Sequence, residues 1–332
     1  MLVLTESDVR RAMAMGEAIE TARIAYRAIA SGEAQVPPRA VLRPHGGGVG
    51  LVMPAYVPSV GGYGVKFVSV VPGNRQRGLP ATVGALLLVD PATGVPLALM
   101  DGTFLTALRT GAGTGAATDA LARPDARTLA LIGTGSQADA QLEAVLQVRP
   151  IERALVCSRS FARAEAFCRR HDGRPNGQGR PVRCEPVARP EEAVRQADIV
   201  VAVTDSPRPV VEGAWLRPGA HVNAVGSHDE FVHELDEAVL TRAALIAVDS
   251  RPGAVLSADL AVPLRRGLIQ EDQLMEIGRI IAGDHPGRRS PDHITVFKSV
   301  GHASQDMVIA GRVYARAREL GLGRTISLRA RG

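Results

Sequence analysis

The sequence predicts an α/β protein of two domains, and three observations carry that prediction. From Thr128 onward, short apolar runs alternate with amphipathic stretches, the pattern of a parallel sheet whose strands are joined by crossover helices. The first of these runs ends in a glycine turn that opens a helical stretch. The length, 332 residues, exceeds what one hydrophobic core usually organises.

Taken in order, the first segment reads as helix, with Val9, Ala12, Ala18, Ile19, Ala22 and Ile24 at helical spacing up to Ser31-Gly32. Pro37-Pro38 breaks it. Apolar runs at Gly50–Tyr56, Gly64–Val71, Val83–Val89 and Val95–Met100 follow as strands, with turns at Pro72-Gly73-Asn74 and Asp90–Gly94. Small residues dominate Thr106–Ala122, which predicts a helix packed closely on a neighbour, and Arg123-Pro124-Asp125 reads as a boundary. Further strands are expected at Leu129–Ile132, Ala154–Cys157, Ile199–Val203, Val222–Val225, Leu245–Val248 and Ile294–Phe297, with a loop at Arg174–Pro181. A last amphipathic helix, Ala303–Leu320, is expected to return to the first domain.

Composition narrows the function. Hydrophobic residues are 45% and charged residues 22%, an ordinary globular balance. No apolar run is long enough for a transmembrane helix, and acidic residues stand near Met1 where a signal peptide needs positive charge, so a cytoplasmic enzyme without membrane attachment is expected. Cys157, Cys168 and Cys184 show no metal-ligand spacing, so neither a metal centre nor a disulfide framework is expected. The net charge of +5 is scattered and aromatics are 3%, which argues against nucleic-acid binding and for an anionic small molecule.

The glycine turn is the clearest motif. The run Leu129–Ile132 leads into Gly133-Thr134-Gly135-Ser136-Gln137-Ala138. In this G-x-G-x-x-A pattern the first glycine permits a tight turn and the second admits a pyrophosphate. Ala138 stands where a small residue lets helix pack on sheet. The free N–H groups of the new helix suit phosphate. A Rossmann domain binding a nicotinamide dinucleotide is therefore expected. The second strand ends in Cys157-Ser158-Arg159-Ser160, with no acidic residue to accept from ribose hydroxyls. Ser158, Arg159 and Ser160 suit a 2′-phosphate instead, so NADPH is the expected cofactor, with NADH the alternative if Arg159 is only a solvated surface residue.

A second cluster lies upstream. Lys66 sits inside an apolar strand, which is costly unless it faces a cavity or a carboxylate. Arg109, in the small-residue helix, is suited to grip a carboxylate through two hydrogen bonds, and Arg39 follows the proline pair. Each has a competing reading as a structural ion-pair residue.

Several motifs occur together and in order: Leu51-Val52-Met53-Pro54-Ala55-Tyr56, Val65-Lys66-Phe67-Val68, Asn74 with Gly78-Leu79-Pro80, Leu105-Thr106-Ala107-Leu108-Arg109-Thr110-Gly111, Gly133-Thr134-Gly135-Ser136-Gln137 and Phe297-Lys298-Ser299-Val300-Gly301. Over nearly its whole length the chain resembles the ornithine cyclodeaminase/mu-crystallin family. The resemblance implies a central Rossmann dinucleotide-binding domain at residues 123–302. It also implies an α+β substrate-binding and dimerisation domain formed by both chain ends, residues 1–122 and 303–332, in a homodimer. By the same resemblance Arg39, Met53, Lys66 and Arg109 bind the substrate. Thr110, Gly133, Thr134, Gly135, Ser136, Gln137, Ser158, Arg159, Ser160, Thr204, Val225, Ser299 and Gly301 lie at the cofactor.

Family members divide by chemistry, and two departures separate this chain from the cyclodeaminases. Those carry an aspartate after a Val-Gly-Ser turn, where this chain has His228 after Val225-Gly226-Ser227, and a glutamate where it has Leu51. The resemblance then favours a ketimine-reductase-like member reducing a small 2-imino acid, of the Δ1-pyrroline-2-carboxylate or Δ1-piperideine-2-carboxylate type, to the amino acid. The alternatives are ornithine or lysine cyclodeamination, reductive amination of the alanine-dehydrogenase kind, and a non-catalytic NADPH-binding protein. Catalytic proton donors are sought in His228 and Lys66. The competing readings make His228 a turn residue, Asp229 the functional carboxylate, and His302 either a lining residue or a helix cap.

Overall fold

The computed structural model describes residues 1–45, 47–227 and 231–328. They form two compact units, Thr110–Gly301 and Met1–Arg109 with His302–Gly332. The division falls inside the small-residue helix Gly102–Leu121 rather than at Arg123-Pro124-Asp125.

In the Thr110–Gly301 unit the described residues form a wholly parallel eight-stranded sheet. Across it run Arg183–Val187, Arg153–Cys157, Thr128–Ile132, Ile199–Ala202, His221–Ala224, Thr295–Lys298, Leu245–Val248 and Leu274–Glu276. From Thr128–Ile132 the chain winds outward to one edge, then returns to Ile199–Ala202 on the other side of the first strand. This reversal is the switch point at which Rossmann folds hold their ligands. Helices cover both faces, so the central strands are buried almost residue by residue and read as continuous apolar runs. The six predicted strands appear within a residue or two. Arg183–Val187, an edge strand carrying Arg183, Glu185 and Pro186, lacks that apolar signature, and Leu274–Glu276 is too short to show one.

The small-residue helix packs closely, as its composition predicts. A Cβ on Gly111 would stand 2.6 Å from the carbonyl oxygen of Ala140, in the helix Ala138–Val148. Its C-terminal carbonyls are gathered by the buried Arg149, whose Nη2 donates to the carbonyls of Thr118, Asp119 and Ala122 at 3.1, 2.7 and 3.0 Å. Cys157, Cys168 and Cys184 are buried free thiols, with 3.2 Å between the sulfurs of Cys168 and Cys184. No helix among the described residues is long and apolar enough to cross a membrane.

In the other unit the described residues form a seven-stranded sheet ordered Arg324–Thr325, Leu2–Leu4, Pro96–Asp101, Thr82–Val89, Gly62–Val70, Val49–Val57, Ala40–Leu42. The strands of two or three residues, at Leu2, Ala40 and Arg324, are too short to read from sequence; the other four follow prediction. Helices Met15–Ala30 and Ala303–Glu319 pack together, the latter lying on the sheet, where a Cβ on Gly62 would meet the Met307 backbone at 3.1 Å. The single N-terminal helix expected is two, Glu6–Ala12 and Met15–Ala30, because Met13 is extended (φ −147°). Thr5 starts the first by sharing a capping box with Asp8. The opposite face of the sheet presents an apolar surface. Register aligns Val52, Phe67 and Ala85 on it, beside Pro54, Val65, Leu87 and Leu99. Phe67 is 44% and Val83 45% exposed.

Candidate functional site

Lys66 lies in the middle of the strand Gly62–Val70, paired with the buried Met53, and its side chain is withdrawn from solvent. An ammonium there needs a counter-charge, and the structure supplies one in Asp306. Nζ stands 2.8 Å from both carboxylate oxygens. Asp306 sits in the first turn of Ala303–Glu319, where the helix dipole favours a negative charge. Arg109 approaches the same carboxylate, Nε at 3.1 Å from Oδ1, as an ion-pair contact rather than an aligned hydrogen bond. Its Nη1 reaches Gln305 Oε1 at 3.4 Å, and Gln305 Nε2 donates to the Tyr26 hydroxyl at 2.8 Å.

Electrostatics places Arg39 in the same neighbourhood. Burial pushes the Lys66 ammonium down to about 8; Asp306 raises it, while Arg109 and then Arg39 lower it. Among the described residues, Lys66 and Arg109 both face the one carboxylate of Asp306, so two cations converge on a single acid. The structure therefore brings Arg39, Met53, Lys66 and Arg109 together. It adds Asp306 and Gln305, which the sequence did not single out. The lone signal was the requirement that Lys66 meet a carboxylate; which carboxylate is fixed only by the fold.

His302 is the N-cap of that helix, its N–H donating to Gln305 Oε1 at 3.0 Å, so the capping reading describes it. His228 and Asp229 lie outside the described residues.

In the other unit, Gly133 follows the strand Thr128–Ile132 at φ +113°, and a Cβ on it would stand 2.4 Å from the carbonyl oxygen of Val203. Only glycine permits that conformation at that approach. Gly135 has nothing within 4 Å of its Cβ position, so the turn is open where a pyrophosphate would approach. Ser136 and Gln137 complete the turn into Ala138–Val148, and Thr134 Oγ1 donates to Ser158 Oγ at 3.0 Å, tying the first two strand ends together. Arg159 is exposed and ion-paired with Asp205 at 3.2 Å; Ser160 holds the N-terminal position of the next helix, Phe161–His171, without a side-chain capping hydrogen bond.

At the following strand ends, Thr204 and Val225 flank a buried carboxylate, Glu234, which the sequence did not single out as a site residue. Ser299 Oγ, Val300 N and Gly301 N all donate to Asp249, at 3.0, 2.9 and 2.7 Å. Thr110 opens this unit, next to Arg109 in the helix. The residues present fit a dinucleotide: a left-handed glycine, an open second glycine and the start of a helix, all at the switch point of a parallel sheet.

The sequence pattern of the ornithine cyclodeaminase/mu-crystallin family matches residues 1–321. The chain belongs to that family. It is 38% identical to a Delta(1)-pyrroline-2-carboxylate reductase of Bacillus cereus, over 98% of this chain and 99% of that protein. Among solved structures, the Thermococcus litoralis Delta(1)-pyrroline-2-carboxylate reductase in complex with NADH and L-proline superposes with a TM-score of 0.93 at 38% identity, over 98% of this chain and 100% of that one. An archaeal alanine dehydrogenase dimer with bound NAD matches at 0.90 and 35% identity, over 99% of each chain. These similarities run from end to end of the chain, and the Rossmann-type unit expected from the glycine turn is present.

Removing one partner of a buried ion pair leaves the other charge uncompensated, which costs about 3–5 kcal/mol. Asp306→Asn is therefore expected to lower the unfolding free energy by about that amount, read from urea denaturation. An unchanged midpoint would mean that Lys66 and Arg109 do not depend on Asp306.

Proposed function

We propose that this chain is an oxidoreductase that reduces a cyclic 2-imino acid of the Δ1-pyrroline-2-carboxylate type to the amino acid, with a nicotinamide dinucleotide as reductant. The observation that carries this reading is the convergence of Lys66 and Arg109 on Asp306, with Arg39 acting on Lys66 as well, in a chain alike from end to end to reductases of that name. The dinucleotide, when bound to the Gly133–Ala138 turn, supplies the hydride.

The residues of the chain do the rest. Arg39 and Arg109 hold the substrate carboxylate, which fixes the orientation of the imine carbon. Reduction adds hydride to that carbon and a proton to the nitrogen, and an iminium accepts hydride more readily than a neutral imine. Lys66, brought down to about 8 yet still protonated at neutral pH, donates the proton from Nζ. His228 is the competing donor.

Purified protein given NADH or NADPH with Δ1-pyrroline-2-carboxylate is expected to consume reduced cofactor and form proline. Turnover only of pyruvate with ammonia, or ammonia release from ornithine with NAD, would overturn this reading. Activity should hold below neutrality and fall as pH rises through about 8, where Lys66 loses its proton. Lys66→Met should cost about a hundredfold or more in kcat and remove that alkaline limb. A limb that persists in Lys66→Met assigns the proton elsewhere, and His228→Ala then tests the alternative.

For the cofactor, we propose that NADPH is preferred. The second strand ends without an acidic residue, and Arg159 is free to turn from Asp205 toward a 2′-phosphate because both side chains are exposed. Arg159→Ala is expected to weaken NADPH by about tenfold and NADH little. Equal losses, or tighter NADH than NADPH in the unaltered protein, would refute the preference.

A homodimer accounts for the apolar outer face of the seven-stranded sheet, a contiguous patch of the kind that marks an interface. The dimeric state of the alanine dehydrogenase relative supports a second copy as its occupant. Phe67→Lys with Val83→Lys should convert the dimer to monomer in light scattering, and a doubly substituted dimer would move the interface elsewhere.

A further inference from the structure

Glu234 lies in none of the turns that the glycine motif organises, yet its carboxylate joins two of the strand ends at the cofactor edge of the sheet. Its Oε1 accepts from the backbone N–H of Thr204 at 2.6 Å and from the Thr204 hydroxyl at 2.9 Å. Its Oε2 accepts from the N–H groups of Gly226 and Ser227 at 2.6 and 3.1 Å. Thr204 follows the strand Ile199–Ala202, and Gly226-Ser227 follows the neighbouring strand His221–Ala224. One oxygen serves each loop.

The loops are drawn together about this group. A Cβ on Gly226 would stand 2.1 Å from the Thr204 carbonyl oxygen and 2.7 Å from Glu234 Oε1, so no other residue fits there without displacing the clamp. Glu234 itself is held by its backbone. Its N–H and that of Leu235 donate to Asp259 Oδ1 at 2.7 and 3.1 Å, and Asp259 Oδ2 is ion-paired with the buried Lys298 at 3.0 Å. Its carbonyl accepts from Val210 and Val211 at 2.8 and 3.0 Å. Among the described residues this buried carboxylate faces four donors, on a backbone anchored at both ends, which fixes its orientation.

We infer that Glu234 is a positioning residue, which preorganises the Thr204 and Val225–Ser227 loops to receive the nicotinamide half of the dinucleotide. This rests on the reading of the chain as a dinucleotide-dependent reductase. The carboxylate is suited to the task in a way its amide is not. Each oxygen receives donors alone, so an isosteric glutamine would have to turn its NH2 toward one loop, opposing donor to donor. Burial raises the carboxyl above its usual range; Lys298 opposes that shift and Asp259 adds to it. The group is thus costly to keep ionised, and the four donors together with Lys298 offset that cost.

The test uses the full-length protein and its Glu234→Gln variant, with NADH binding followed by its fluorescence. The variant is expected to bind NADH about tenfold more weakly, the equivalent of about 1.4 kcal/mol. KM for NADH should rise while KM for the imino acid stays within twofold, roughly the limit of a few tenths of a kcal/mol. In hydrogen exchange, the Thr204 and Gly226-Ser227 amides should exchange faster while those of Thr134–Gln137 keep their rates. A merely structural role would lower the melting temperature and leave the NADH affinity of the folded fraction unchanged, and that result overturns the inference. If Glu234→Gln does not fold, Glu234→Asp, which keeps the charge but is one methylene too short to span both loops, carries the same expectation. Unaltered protein that binds neither NADH nor NADPH would overturn the reductase reading itself; equal affinities in variant and unaltered protein overturn only the clamp.

Discussion

A lysine cannot be buried in an apolar sheet alone, and the architecture of the first unit follows from that constraint. Lys66 is enclosed between strands from the N-terminal third of the chain, and the carboxylate that matches it lies on a helix close to the other end. The unit therefore has to be assembled from both ends of the polypeptide, with the Rossmann unit inserted between. Asp306 satisfies Lys66 and still touches Arg109, so it organises the cations without cancelling them.

The same principle appears with opposite sign in the other unit, where the buried acids organise backbone rather than side chains. Asp249 collects the N–H groups that follow one strand, and Glu234 those that follow two others. These strand ends carry loops, and loops are ordinarily the most mobile part of an α/β fold. Carboxylates buried beneath them hold donors that would otherwise need water or a ligand. The glycine turn after Thr128–Ile132 is held differently, by a left-handed backbone pressed against Val203. A Rossmann edge thus combines conformational restriction on one side of the switch point with charge-assisted hydrogen bonding on the other.

Much of this was legible in the sequence where a pattern is local. The G-x-G-x-x-A turn declares itself because strand, turn and helix are consecutive, and Lys66 because a charge in an apolar run is conspicuous. The small-residue helix foretold its close packing at Gly111. What was not legible depends on contacts remote in sequence. Asp306 stands in an amphipathic helix in which any polar residue reads as solvent-facing, and only the packing of that helix on the sheet shows that it is buried. Glu234 lies in a run without periodicity. The break at Met13 has no proline or glycine to announce it, and the edge strand Arg183–Val187 is polar because one of its sides lacks a neighbour.

The choice between reducing an imine and cyclising a diamino acid turns on what surrounds the substrate's distal end. Cyclodeamination requires a protein carboxylate to receive a distal ammonium, and the resemblance places one such group at the position of Leu51. In the structure Leu51 pairs with Val41 on one side and Val68 on the other, on the same face of the sheet as Met53 and Lys66. That face is apolar beyond the cations. On the proposed reading, a carboxylate carried on a ring of methylene groups matches a cationic cluster beside an apolar sheet face. An ammonium set against apolar side chains alone would be desolvated, at a cost of several kcal/mol. On the proposed reading, the apolar side chains around Leu51 favour a cyclic imino acid over an open-chain diamine.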